Sequence, residues 1–90
     1  MAETRTDAEI AQNYKAMGDS VDLIQSIVTA KKNDQGELMV MQGATDAEKK
    51  ERVNINVGYI EHMKALTDWK GNEDWTDVDK AITDGKAYVG

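Results

Sequence analysis

The sequence predicts an all-α fold in which an antiparallel helical hairpin is followed by a short third helix. Three observations lead to this prediction: the chain contains no proline, a helix-start signal occurs three times, and apolar residues recur at helical spacing. The 90 residues suffice for a single helical domain, residues 1–90, with a thin core.

Each helix-start signal is a Thr followed three residues later by an acidic residue. In such a capping box, the Thr hydroxyl accepts a hydrogen bond from the third residue's backbone N–H, and that residue's carboxylate accepts one from the Thr N–H. Only the first two runs have the full pattern, because the third has Asp in place of the longer Glu. The runs are Thr6-Asp7-Ala8-Glu9, Thr45-Asp46-Ala47-Glu48 and Thr76-Asp77-Val78-Asp79.

The first helix is predicted from about residue 7 to about residue 31. After the first capping box, apolar residues follow one another at alternating steps of four and three, which is the spacing of a heptad seam. Lys31 and Lys32 suit the end of this helix, because cations interact favourably with its C-terminal carbonyl groups. The seam consists of Ile10, Tyr14, Met17, Val21, Ile24 and Val28.

The second helix is predicted from about residue 45 to about residue 69. Two apolar rows lie on it, and together they occupy so much of its circumference that the helix must be covered on more than one side. The second row also supplies the candidate residues for an oligomer interface. The first row is Val53, Val57, Ile60 and Met63, and the second is Ile55, Tyr59, His62, Leu66 and Trp69.

Residues 32–44 are predicted to form a loop or an extended arm, because turn signals flank four consecutive apolar residues at 38–41. Periodicity fits a short strand and an extended arm equally well, so we expect a short extended segment near residues 37–42. Gly71-Asn72 is a further turn signal, and the third helix is predicted at about residues 76–86.

Composition excludes several classes of partner. The formal net charge is -6, which repels phosphate backbones and anionic membranes. No apolar run approaches the roughly 18 residues of a membrane span, and no secretory signal pattern is present. We therefore expect no nucleic-acid or membrane partner, and a location in the cytoplasm of the cell that makes the protein.

The charges are divided between the two ends of the predicted hairpin. This division either complements helix dipoles and keeps the protein soluble, or it has an intermolecular role, because Lys49 and Lys50 stand near a helix start where the dipole prefers acids. The cations at the loop end are Lys31, Lys32, Lys49, Lys50 and Arg52, and the acids at the open end are Glu3, Asp7, Glu9, Asp68, Glu73 and Asp74.

The sequence contains no pattern typical of a catalytic or metal site. His62 is the only histidine and there is no cysteine, so no catalytic triad or zinc site fits. Gly85-Lys86 belongs to no phosphate loop, and an acidic cluster lacks the Gly and Glu of a calcium loop. We therefore expect no enzymatic activity, catalytic residue, metal or cofactor. The acidic cluster is Asp68, Glu73, Asp74, Asp77 and Asp79.

Two glycines and two tryptophans each have two interpretations. Gly18 and Gly58 lie near the middle of predicted helices, where each costs about 1 kcal/mol relative to Ala. They either allow close approach of another element or are tolerated weak points. Trp69 and Trp75 flank the acidic turn, where they either anchor a partner or cap the open end of the hairpin, as we expect.

Two stretches in the second half of the chain also indicate an origin. They are Asn56-Val57-Gly58-Tyr59-Ile60-Glu61-His62-Met63 and Trp75-Thr76-Asp77-Val78-Asp79-Lys80-Ala81-Ile82-Thr83-Asp84-Gly85-Lys86-Ala87-Tyr88. Both resemble small uncharacterised proteins of marine tailed phages, especially cyanophages. The resemblance contains no catalytic motif and supplies no site residues. It implies a phage gene product that is accessory to virion or tail assembly.

The leading hypothesis for function is a non-enzymatic structural or interaction protein that acts as an oligomer. Left in water, part of the second row on helix two would form an apolar patch of roughly a few hundred Å2, near the limit for soluble monomers. A symmetric dimer of two hairpins would bury this patch. The alternative is an acidic regulator that mimics nucleic acid and binds a basic partner protein.

Overall fold

The structure is a computed structural model that describes residues 4–90. Within these residues, the regular secondary structure consists of three helices. They are α1, Asp7–Val28; α2, Asp46–Lys64; and α3, Thr76–Val89. None of the described residues belongs to a β-strand of a sheet. The prediction of an all-α fold with a short third helix is therefore confirmed.

The first two helices begin where the capping boxes predict. Thr6 and Thr45 are the N-caps, and both boxes are complete. The Glu9 amide donates to the Thr6 hydroxyl at 3.1 Å, and the Glu48 amide donates to the Thr45 hydroxyl at 3.2 Å. The backbone N–H groups of the two Thr residues donate in return, which lowers the pKa of both Glu carboxyls.

The third helix begins at the predicted residue, but the capping box predicted there does not form. Trp75 is the N-cap, and Thr76 is the first helical residue. The Thr76 amide donates to the Asp74 carboxylate at 2.9 Å, which satisfies a free donor of the helix start from outside. Asp79, the acid at the third position, instead pairs with Lys64. The helix also continues beyond the predicted residue 86 to Val89.

The first helix ends three residues earlier than predicted. Ala30 has a φ of 50°, in the left-handed region, and this turns the chain away from the helix axis. The Lys31 amide then donates to Ser26 O at 2.9 Å, and the Ala30 amide donates to Ile27 O at 3.1 Å. These two bonds are those of a Schellman C-cap. Lys31 therefore lies beyond α1 instead of in its last turn.

The second helix ends at Lys64, five residues earlier than predicted. The indole N–H of Trp69 donates to Met63 O at 2.9 Å. Met63 O lies in the last turn of α2, and it also accepts from the Leu66 amide at 3.2 Å. Leu66 and Trp69 therefore lie in the connection after α2, and the interface row predicted from the sequence loses its helical geometry beyond His62.

The connection between α1 and α2 is stabilised mainly by hydrogen bonds among its own residues. A single antiparallel bridge joins Lys32 and Leu38, which is all that remains of the extended segment predicted near residues 37–42. Between them, the side-chain oxygen of Asn33 accepts from the Gln35 and Glu37 amides, both at 3.0 Å. This connection is therefore a compact turn of local hydrogen bonds.

The three helices run up, down and up. The start of α1 lies beside the chain that leaves α2, because Asp7 and Lys70 pair at 2.6 Å. The third helix runs back along α2, because Lys86 donates to Glu61 at 3.0 Å. One face of each helix contributes to the core, which consists of Met17, Val21, Ile24, Ile27, Val53, Val57, Ile60, Val78 and Ala81.

Close packing of α3 depends on Gly85. This glycine is buried, and a Cβ atom added there would lie 2.5 Å from a Val57 methyl carbon and 3.3 Å from an Ile24 methyl carbon. Such distances leave no room for a side chain between a helix and stiff β-branched neighbours. Sequence analysis considered Gly85 only as part of a phosphate loop. Its spacing from the buried Val78 and Ala81 was the signal for a core position.

Candidate interaction surface

The outward face of α2 has a regular pattern of exposed residues. They follow one another at steps of four, three, four and three, which is the spacing of a helix contact seam. We call this set the outer seam. It consists of Glu51, Ile55, Gly58, His62 and Ala65, the last being the C-cap of α2. This face is the part of α2 that neither α1 nor α3 covers.

Ile55 is the large apolar residue of the outer seam. It is 57% exposed, and among the described residues only Met39, at 54%, is a comparably exposed large hydrophobic side chain. Ile55 also borders a depression of about 200 Å3 together with Met41, Glu48, Glu51 and Arg52. The exposed apolar surface on this side of the molecule therefore has both a protruding side chain and a recess beside it.

The middle of the outer seam is an open notch at Gly58. A Cβ atom added there would meet no atom within 4 Å. The same is true of Gly18 on α1. Nothing in the described chain therefore needs a glycine at either position for packing, in contrast to Gly85.

The residues predicted to form the oligomer interface have divided roles in the structure. Ile55 and His62 are exposed on the outer seam, and Tyr59 is half-buried against the core. Leu66 and Trp69 are partly buried in the connection after α2. The structure therefore brings Ile55 and His62 to one surface and separates them from Trp69.

Trp69 belongs to an aromatic cluster that closes the open end of the bundle, where α2 ends and α1 and α3 begin. The rings of Trp69 and Trp75 are 5.0 Å apart, and Tyr14 lies 6.3 Å from the first and 5.8 Å from the second, all with edge-to-face geometry. The Tyr14 hydroxyl donates to Asp74 O at 2.8 Å. The expectation that both tryptophans cap the open end of the hairpin is confirmed.

A cation covers this aromatic cluster. The guanidinium carbon of Arg5 lies 4.6 Å from the Trp69 ring centroid, and the guanidinium donates to both carboxylate oxygens of Asp68 and to Asn13. The Arg5 and Asp68 side chains are only 15% and 19% exposed. Hydrogen bonds from Arg5 lower the pKa of Asp68 from 3.8 to about 2. The pair has no local sequence signal, because its members stand 63 positions apart.

The predicted acidic cluster is divided among several structural roles. Asp68 pairs with Arg5, Asp79 pairs with Lys64, and Glu73 accepts from two backbone amides of its own turn. Within residues 4–90, no group of three or more acidic or His side chains is arranged to hold a metal ion. Four aspartates instead border an open groove of about 360 Å3 between α1 and α3: Asp19, Asp22, Asp74 and Asp77.

The charge division predicted from the sequence is weaker than expected at the loop end. The cations there are interspersed with carboxylates of Asp34, Glu37, Asp46, Glu48 and Glu51 on the same segments, so this end has no marked excess of positive charge. The acidic excess lies at the open end. Glu3, which sequence analysis assigned to that end, lies outside the described residues.

No helix within residues 4–90 combines the length and apolar character needed to cross a membrane. Residues 56–63 and 75–88, on which the expectation of a phage origin depends, lie in α2 and along α3, and they pack against each other where Val57 meets Gly85. No protein family, curated protein or solved structure matches the chain.

Proposed function

We propose that the chain is a non-enzymatic structural or interaction protein that works as a symmetric homodimer. The observation that supports this most is the exposure of Ile55 at 57% on a regular helix face. A large apolar side chain in water costs free energy, which burial in a partner would recover at roughly 1.5 to 3 kcal/mol for each such residue before the costs of association. In a symmetric dimer, each such contact occurs twice.

The proposed interface is smaller than the row suggested by the sequence. It comprises Ile55 and His62 with the adjoining part of Tyr59, and Met41 extends the apolar surface beside Ile55. Trp69 has internal partners and is left out of the interface. Methionines suit such a surface because their flexible side chains adapt to the shape of a partner.

We further propose that this dimer is an accessory or assembly component of a tailed phage. This part of the proposal is supported by the resemblance of residues 56–63 and 75–88 to small marine phage proteins. Assembly factors act by presenting surfaces, which is the role that the exposed face of α2 suits. Deletion of the gene in its phage, followed by electron microscopy of the particles, would test this role.

A second candidate function is an acidic regulator that mimics nucleic acid and occupies a basic partner protein. The groove between α1 and α3 favours it, because four carboxylates border one open surface against a single cation, Lys15, which pairs with Asp19 at 3.9 Å. This function predicts salt-sensitive binding to basic nucleic-acid-binding proteins. A homodimeric assembly protein need not show such binding, so titration against a panel of basic proteins at two salt concentrations discriminates the two functions.

Light scattering at micromolar concentration tests the homodimer. We expect about twice the chain mass of 10.0 kDa for the natural sequence, and a shift toward monomer for Ile55→Asp because a charge would be buried in the interface. Ala87→Asp is the matched control, since Ala87 is exposed on α3, away from the outer seam. A monomeric natural protein, or equal effects of the two substitutions, would contradict the proposed interface.

A further inference from the structure

We propose that the second copy of the chain binds the outer seam in antiparallel orientation, with Ile55 of each copy seated over Gly58 of the other. This inference rests on the proposed function, because it assigns the contact through which the homodimer forms. It begins with two features of one helix face: a protruding side chain at Ile55 and an open notch at Gly58, about one turn further along α2.

The notch is the first reason for the assignment. Glycine is a poor helix former, and its presence in the middle of α2 weakens that helix. Gly85 has an internal reason, since Val57 and Ile24 fill the space above it, whereas the space above Gly58 is empty. A side chain from a second copy would give Gly58 the same role between chains that Gly85 has within one.

The pairing of the outer seam with itself is the second reason. In an antiparallel helix pair, the two alternating positions of a seam face each other across the interface. For this seam, that rule places Ile55 opposite Gly58 of the second copy and Glu51 opposite its His62. A large residue then meets the smallest one, and an acid meets a base. Each contact occurs twice around the two-fold axis.

A parallel pairing would match the seam much less well. Each residue would face its own copy, so Ile55 would meet Ile55, and the two Gly58 positions would leave a void between them. The two Glu51 carboxylates would also repel each other. Charge and size complementarity therefore both favour the antiparallel orientation.

The recess beside Ile55 agrees with this arrangement. Glu51 and Glu48 border it together with Met41, and it lies where His62 of the second copy would enter. Arg52 lies beside the seam and would face the Tyr59 ring of the second copy, an arrangement in which a cation interacts favourably with an aromatic face.

Disulfide cross-linking tests the pairing directly, because the chain contains no cysteine. The two variants are Glu51→Cys and His62→Cys, made as chains of different mass. In the antiparallel dimer, position 51 of one chain lies opposite position 62 of the other. Two copies of position 51, or two of position 62, are offset along the helix axis by the helix length from position 51 to position 62, which is about 16 Å at about 1.5 Å per residue. This offset exceeds the roughly 7 Å that a disulfide spans between Cα atoms.

We therefore expect a disulfide-linked dimer of mixed mass under mild oxidation only when the two variants are combined. Cross-linking of Glu51→Cys with itself would overturn the proposal in favour of parallel pairing. If light scattering shows a dimer but the mixture gives no cross-links, the proposed pairing is also overturned, and the chain then self-associates through another face. A monomer would contradict the proposed function itself.

Two glycine variants provide an independent measurement. Gly58→Ala and Gly18→Ala both remove a helix-weakening residue in open space, so both should raise the denaturant midpoint of unfolding at concentrations low enough for the chain to be monomeric. Only Gly58→Ala places a methyl group under Ile55 of the second copy, and it should weaken dimerisation about tenfold or more. Equal dimer dissociation constants for the two variants would overturn the role of Gly58.

Discussion

The two connections of the bundle are held in opposite ways. The connection that joins α2 to α3 is fixed by contacts from distant parts of the chain: Arg5 with Asp68, and Tyr14 with both tryptophans. The connection that joins α1 to α2 is fixed by hydrogen bonds among its own residues, with Asn33 as the main acceptor. The connection from α2 to α3 is thus fixed by long-range contacts, and the connection from α1 to α2 is a local turn from which only Val40 and Met41 pack against the core.

This difference decides which apolar residues remain exposed. The open end uses its aromatic side chains in contacts with one another, so Trp69 and Trp75 have partners within the chain. The connection between α1 and α2 has no aromatic residues, and Met39 there stays more than half exposed, although Val40 and Met41 beside it pack against the core. An interaction surface is therefore to be sought around Met39 or Ile55, the exposed large hydrophobic residues of the described chain.

Truncation of one large side chain at each end is the most direct test of this comparison. Trp69→Ala should lower the free energy of unfolding by about 3 kcal/mol, because it removes ring contacts, a cover for Arg5 and the bond to Met63 O. Met39→Ala should change it by less than about 0.5 kcal/mol, as for other exposed positions. Urea unfolding of both variants at equal protein concentration measures the difference. Similar losses would show that the two ends contribute alike.

Removal of a threonine hydroxyl at two helix starts compares a capping box that forms with one that does not. Thr45→Ala should cost about 1 kcal/mol, because the start of α2 loses the acceptor of the Glu48 amide. Thr76→Ala should cost less than about 0.5 kcal/mol, since Thr76 is not the N-cap of α3. Chemical denaturation with both variants provides the check. A larger loss for Thr76→Ala would restore the third capping box.

Acid titration is expected to change the stability of the fold least, and it tests the pair of Arg5 and Asp68 at the open end. The pKa of Asp68 is about 2 in the folded protein, below its ordinary value of 3.8. The stabilisation from this carboxylate is therefore fully present above the ordinary value and is lost as the pH falls through the folded one. Asp68→Asn should flatten the pH dependence of the thermal midpoint in that interval. A curve parallel to that of the natural protein would contradict the assignment to Asp68.

The starts of α1 and α2 and the inward face of α1 could be predicted because they depend on residues close together in the sequence. Each complete capping box lies within four residues, and five positions of α1 are buried at helical spacing. The incomplete box at Thr76 shows the limit of such patterns. Its Asp79 carboxylate pairs with Lys64 on another helix, which no local pattern reveals.

The end of α2 and the division of the predicted interface row could not be derived in this way. No turn signal occurs between Lys64 and Trp69, and the helix ends where the indole of Trp69 bonds Met63 O and its ring meets Tyr14. The Arg5 to Asp68 pair likewise joins residues far apart in sequence. These features follow from the fold as a whole, and they leave Ile55 exposed as predicted while Leu66 and Trp69 become half-buried.

The short separation of the two tryptophans has an optical consequence. Indole rings 5.0 Å apart and inclined by 80° couple their electronic transitions, so the folded protein should show a pair of circular dichroism bands of opposite sign beside the helical signal. Helix content estimated from ellipticity alone would then be biased. Because Trp69 and Trp75 are the only tryptophans of the chain, the same coupled signal would monitor, without any attached label, whether the connection between α2 and α3 remains closed.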